Sequence, residues 1–213
     1  MAFRGWPAEA VEFYEGLEAD NSKSYWTANK STYETKVLGP MNELLAELAD
    51  EFGPGRPFRP YRDIRFSADK SPYKTYLAAH LEGGGYISFS SAGLGVGCGL
   101  YMPGPEALAR FRAAIDDDAT GAELVALVGA LRKKGMQVSA HEELKTAPKG
   151  YAKDHPRIDL LRMKGVTTWQ QWPPGPWLGT ARARDRVAKH LRDSRPLLDW
   201  LAANVGELAP AEA

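Results

Sequence analysis

Behind Pro7, apolar residues recur three or four positions apart at Ala10, Phe13, Tyr14 and Leu17. That spacing predicts an amphipathic helix whose first turn accepts the proline. Ser24 to Lys36 predicts a second helix, with Trp26, Asn29, Tyr33 and Val37 along one stripe, and Gly39-Pro40 is expected to break or kink it. Met41, Leu44, Leu45, Leu48 and Phe52 form the apolar face of a third helix, ended by Gly53-Pro54. Residues 53–60 hold three prolines and two glycines and read as a loop.

The period then changes from helical to alternating. Arg62 to Ser67 reads as a short strand, and Leu77, Ala79 and Leu81 alternate with Tyr76, Ala78 and His80. Gly83-Gly84-Gly85 is a turn, Tyr86 to Ser91 alternates again, and Val96, Cys98 and Leu100 alternate with Gly95, Gly97 and Gly99. This is the pattern of consecutive antiparallel strands with one buried face. Helical spacing returns over Pro105 to Asp116 and Gly121 to Lys133. Short strands are expected at Met136 to Ala140 and Val166 to Trp172, a helical turn at Asp159 to Met163, and closing helices at Ala181 to Leu191 and Pro196 to Asn204. The expectation is one α+β domain over residues 1–213, with an antiparallel sheet of about five strands between N-terminal and C-terminal helices.

Charge changes the picture locally. The chain has 27 basic and 27 acidic residues, a balance unlike that of proteins that coat nucleic acid. From Arg56 to Lys74, however, six cations face two acids, and the same count holds from Lys145 to Lys164, so each window is net +4. Cys98 is the only cysteine, so no internal disulfide forms. No apolar signal core opens the chain and no apolar run is long enough to span a membrane. A cytoplasmic protein without membrane contact is expected.

The densest chemistry lies in the run Arg62–Thr75, RDIRFSADKSPYKT, where fourteen residues hold four cations, two carboxylates and three Ser/Thr hydroxyls. Arginine forks match phosphate or carboxylate oxygens in pairs. Arg62, Arg65, Ser67, Lys70 and Lys74 are therefore candidate ligands for an anion, with Asp63 orienting an arginine. Asp63, Asp69 and Tyr76 are candidate proton carriers, provided their pKa values are shifted toward the working pH. Gly97 and Gly99, on a strand face opposite the core, suggest a pocket floor that something approaches closely, or else a face on which another element packs. Lys145 and Lys149, near a Gly/Pro turn, would join the same cleft if the chain brings the two basic windows together.

Four separated stretches resemble an uncharacterised family, domain of unknown function 2461. They are RDIRFSADKSPYKT, GCGLYMP (Gly97 to Pro103), LKTAPKGYAKDHP (Leu144 to Pro156) and DNSKSYWTANKSTYE (Asp20 to Glu34), and the resemblance spans residues 1–205. It implies that Arg62, Asp63, Arg65, Ser67, Asp69, Lys70, Lys74 and Lys149 belong to one site, and it implies no activity. Two departures stand out. A histidine common in the family after Tyr-Lys-Thr is Tyr76 here, and its Trp-Phe pair is Tyr25-Trp26, preceded by Ser24 in place of an acid.

His80, His141, His155 and His190 are scattered, with no metal-ligand spacing. No nucleophile elbow, Walker loop or dinucleotide fingerprint is present. The candidate partner is an anionic small molecule, with the cofactor unknown. Two other readings stay open: nucleic-acid binding through the basic windows, with Trp169, Trp172 and Trp177 as stacking rings, or a structural ion-pair network without a ligand.

Overall fold

A computed structural model describes residues 2–65 and 68–206. It is an α+β fold around a six-stranded antiparallel sheet in the order β1-β2-β3-β4-β6-β5. The strands are β1 Gly55–Pro57, β2 Tyr76–Leu81, β3 Gly85–Ser90, β4 Gly93–Leu100, β5 Gln137–Ser139 and β6 Val166–Trp172. The helices are α1 Ala8–Ala19, α2 Lys23–Thr32, α3 Gly39–Phe52, α4 Pro105–Asp116, α5 Asp118–Lys133, α6 Ile158–Arg162 and α7 Arg182–Asn204. Contacts divide the chain into two compact units, residues 2–96 with 171–189 and residues 97–170 with 190–206.

In the first unit the core is aromatic. Trp6 stacks on Phe89 at 4.8 Å and 12°, Tyr14 lies 6.0 Å from the same ring, and the Trp6 indole donates to the Val37 carbonyl at 3.1 Å. The alternation of β3 explains the placement: Ile87 and Phe89 are fully buried, while Tyr86, Ser88 and Ser90 face the other way and are half-buried. Ser22 caps α2 by accepting from the Tyr25 N–H.

Gly39-Pro40 does not break the second helix. Tyr33–Leu38 winds as a π-helix between α2 and α3, and the Gly39 N–H donates to the Glu34 carbonyl five residues back. The wider turn absorbs the proline, whose missing N–H would interrupt an α-helical ladder. Val37 and Met41 stay fully buried on either side.

The second unit encloses a mostly aliphatic core of Ile115, Leu124, Leu161, Val166, Leu197 and Leu201, with Phe111 edge-on to Trp200. The Trp200 indole donates to the Thr120 carbonyl at 3.1 Å, and Asp117 caps α5 through its carboxylate. The two closing helices expected from the sequence are one helix, α7, with Pro196 inside it. Leu191 and Ser194 before the proline and Leu197, Trp200 and Leu201 after it are all buried, so burial carries one helix through a residue that disfavours it.

Candidate functional site

Between β1 and β2 the chain forms an irregular ribbon rather than the short strand expected at Arg62 to Ser67. Its one bridge joins Tyr61 to Tyr73, flanked by Arg62 N–H to Pro72 O at 3.0 Å and Lys74 N–H to Pro60 O at 2.7 Å. Asp63 and Ile64 lie outside the named strands. Ser67, a candidate ligand, lies outside the described residues.

Alternation from that bridge puts Tyr61 and Tyr73 on one face and Arg62 and Lys74 on the other. The first face packs inward. Tyr73 is buried and stacks on Trp26 of α2 at 4.3 Å and 7°, and Tyr61 lies 5.6 Å from Tyr73. Asn21 pins the same backbone from outside the ribbon, donating to Tyr73 O at 3.0 Å and accepting from Tyr73 N–H at 3.1 Å. The second face opens on a shallow cleft of about 450 Å³ lined by Arg62, Asp63, Tyr73, Lys74, Thr75 and Tyr76.

Two ion pairs shape the loop. Asp63 holds the Arg65 guanidinium in a fork, accepting from Nε at 3.0 Å and from Nη2 at 2.7 Å. Asp69 accepts from Arg62 Nη1 and, through its other oxygen, from the Ser71 N–H at 2.9 Å. Lys70 donates to the Ile64 carbonyl at 3.0 Å and closes the loop. The hydrogen bonds from Arg65 hold the Asp63 carboxyl down at about 2, and those from Arg62 and Ser71 hold Asp69 below the usual carboxylate range. A general acid or base near neutrality needs the opposite shift, so neither carboxylate fits the proton-carrier role the sequence suggested. Each carboxylate holds an arginine side chain.

Lys74 is different. It forms no ion pair among the described residues, and its ammonium sits 5.7 Å from the centre of the Phe58 ring. Burial, with Arg59 beside it, pushes its pKa below the ordinary lysine value.

The remaining candidates lie elsewhere. Gly97 and Gly99 do not floor a pocket: a Cβ on Gly97 would meet the Thr168 carbonyl at 2.8 Å, and one on Gly99 would run into the Val166 carbonyl. Backbone of β6 fills the space, which is the close approach the glycines signalled. Lys145 and Lys149 are exposed on a loop of the second unit. Cys98 is buried, its thiol pushed up to about 12 by that burial. Nearby, Thr168 Oγ1 meets His190 Nε2 at 3.0 Å and Ser194 Oγ at 3.1 Å, and all three residues are buried. The Trp177 face is taken by Arg186, whose guanidinium lies 4.0 Å from the ring centre. Among the described residues no three His, Cys, Asp or Glu side chains gather closely enough to hold a metal ion, and no helix is long and apolar enough to cross a membrane.

Asn21, Trp26 and Tyr73 were not anticipated as site residues. The signal lay in the Asp20–Glu34 stretch, whose asparagine and aromatic residues are more than a helix face requires.

No curated protein matches the chain, and no solved structure does. A family match covers residues 9–200, nearly the whole described chain and all four resembling stretches in full, and its description is a conserved hypothetical protein. The chain belongs to that conserved hypothetical family, DUF2461.

Proposed function

We propose that the cleft on the β1–β2 ribbon binds a small molecule bearing a phosphate or carboxylate. The observation that carries this reading is Lys74: a partly buried ammonium without an acidic partner among the described residues, in a cleft it shares with Arg62. A desolvated cation beside another cation is disfavoured until an anion neutralises it. Arg62 adds direction. Asp69 takes Nη1, and the remaining guanidinium N–H groups have no protein acceptor among the described residues. Trp26 and Asn21 hold the ribbon rigid from behind, so little ordering opposes binding. The volume falls in the range of small-molecule sites. A lone buried cysteine suits a reducing compartment, and the cytoplasm is the proposed location.

The test is thermal denaturation with phosphate, pyrophosphate and citrate, on wild type and Lys74→Met. At ten times its Kd a ligand stabilises by about 1.4 kcal/mol, roughly 3–6 °C in Tm for a chain of this length. A rise with at least one anion that disappears in Lys74→Met is the expected result. No rise with any of them, in wild type and variant alike, would overturn the reading.

A further inference from the structure

The cleft contains one group that an inorganic anion does not use. Tyr76, the first residue of β2, lines it two positions after Lys74. The residue is 39% exposed, and the sheet register explains why: its partner across the strand is Ser90 and the next residue on its face is Ala78. Both are too small to cover a phenol. Tyr61 and Tyr73 pack toward Trp26. Tyr76 lines the cleft together with Arg62 and Lys74. A half-open aromatic ring held on a strand is a stacking surface for a planar ring, with little side-chain freedom left to lose.

We propose that the anion taken by Arg62 and Lys74 is the phosphate of a nucleoside phosphate whose base stacks on Tyr76. This rests on the reading of the cleft as an anion site and adds a second contact to it. Residues two apart in the chain are separated by at most roughly 7 Å, a gap that one nucleotide bridges with its phosphate at the ammonium and its base over the phenol. A single-stranded nucleic acid would use the same two contacts. The balanced net charge and a cleft of about 450 Å³ favour a mononucleotide.

Calorimetric titration of the whole chain with adenosine 5′-monophosphate, ribose 5-phosphate, inorganic phosphate and a short oligodeoxyadenylate tests this. Stacking on an aromatic side chain should make the nucleotide bind about tenfold or more tighter than ribose 5-phosphate. Tyr76→Leu should bring the nucleotide down to the ribose 5-phosphate level and leave ribose 5-phosphate unchanged, and Tyr76→Phe should keep the advantage. Equal binding of nucleotide and ribose 5-phosphate to wild type would overturn the stacking contact while the anion site stands. Silence from all three small anions would overturn both. Binding of the oligonucleotide alone would overturn the mononucleotide in favour of a nucleic acid.

Discussion

The Asn21 carboxamide takes both backbone groups of Tyr73, 52 positions away, and so stands where a neighbouring strand would. Among the described residues the ribbon has one bridge and few main-chain bonds of its own. Each of these two contributes about 0.5–1.5 kcal/mol net. Asn21→Ala is expected to cost about 1–3 kcal/mol, seen in urea denaturation as a lower midpoint with an unchanged slope. Asn21→Asp keeps the acceptor but loses the donor to Tyr73 O, so it should also destabilise.

Lys74 gives the cleft a pH dependence on the alkaline side. Its folded-state pKa lies below the ordinary value of 10.5 because burial and Arg59 disfavour the charged form. Between those two values the unfolded chain binds more protons than the folded one, so this group makes stability rise with pH. Anion binding runs the other way, because it needs the ammonium. Affinity for phosphate should fall at a pH below 10.5 in wild type and stay level over the same range in Lys74→Arg, whose guanidinium keeps its charge. A level wild-type titration would place the anion elsewhere.

Gly99 has φ +128° and the Val166 carbonyl where a side chain would start. Gly99→Ala should therefore lose about 1–3 kcal/mol to backbone strain alone, with the clash against β6 added. Gly129, at a helical position with nothing near its Cβ direction, is the control: Gly129→Ala should stabilise slightly, by about 0.4–1 kcal/mol. Thermal melts of both variants check the contrast.

The Cys98 thiol, buried and pushed up to about 12, has almost no thiolate at neutral pH. An aromatic disulfide reagent should leave the folded protein unmodified over a period in which the urea-unfolded chain reacts completely. Rapid labelling of the native protein would contradict the burial described for β4.

The regular elements were legible because each follows from a local period. Leu44, Leu45 and Leu48 mark α3, and Ile87 and Phe89 mark β3, without help from distant residues. The charged residues of the cleft were legible for the same reason: they stand close together in the chain. Their arrangement was not. Alternation predicts a short strand from Arg62, yet the ribbon's register is held by Asn21, Trp26 and the Tyr61–Tyr73 bridge. The glycines of β4 were recognised as a place of close approach, but no local pattern says whether a ligand or a strand does the approaching. Pro40 and Pro196 misled for a common reason: tertiary burial on both sides of a proline can hold a helix together that propensity alone would end.

The π-helical stretch Tyr33–Leu38 sets the rotational phase between two faces of one long helical rod. Upstream, Trp26 points to the tyrosine ribbon; downstream, Met41, Leu44 and Leu48 point into the first unit's core. Removing one residue from the stretch, so that a plain α-helix runs from α2 into α3, would keep the two faces nearly in phase, because the wider turn holds about one residue more than an α-turn. The segment thus tolerates the loss of one residue better than α2 or α3 does, where each residue removed turns one face against the other by about 100°.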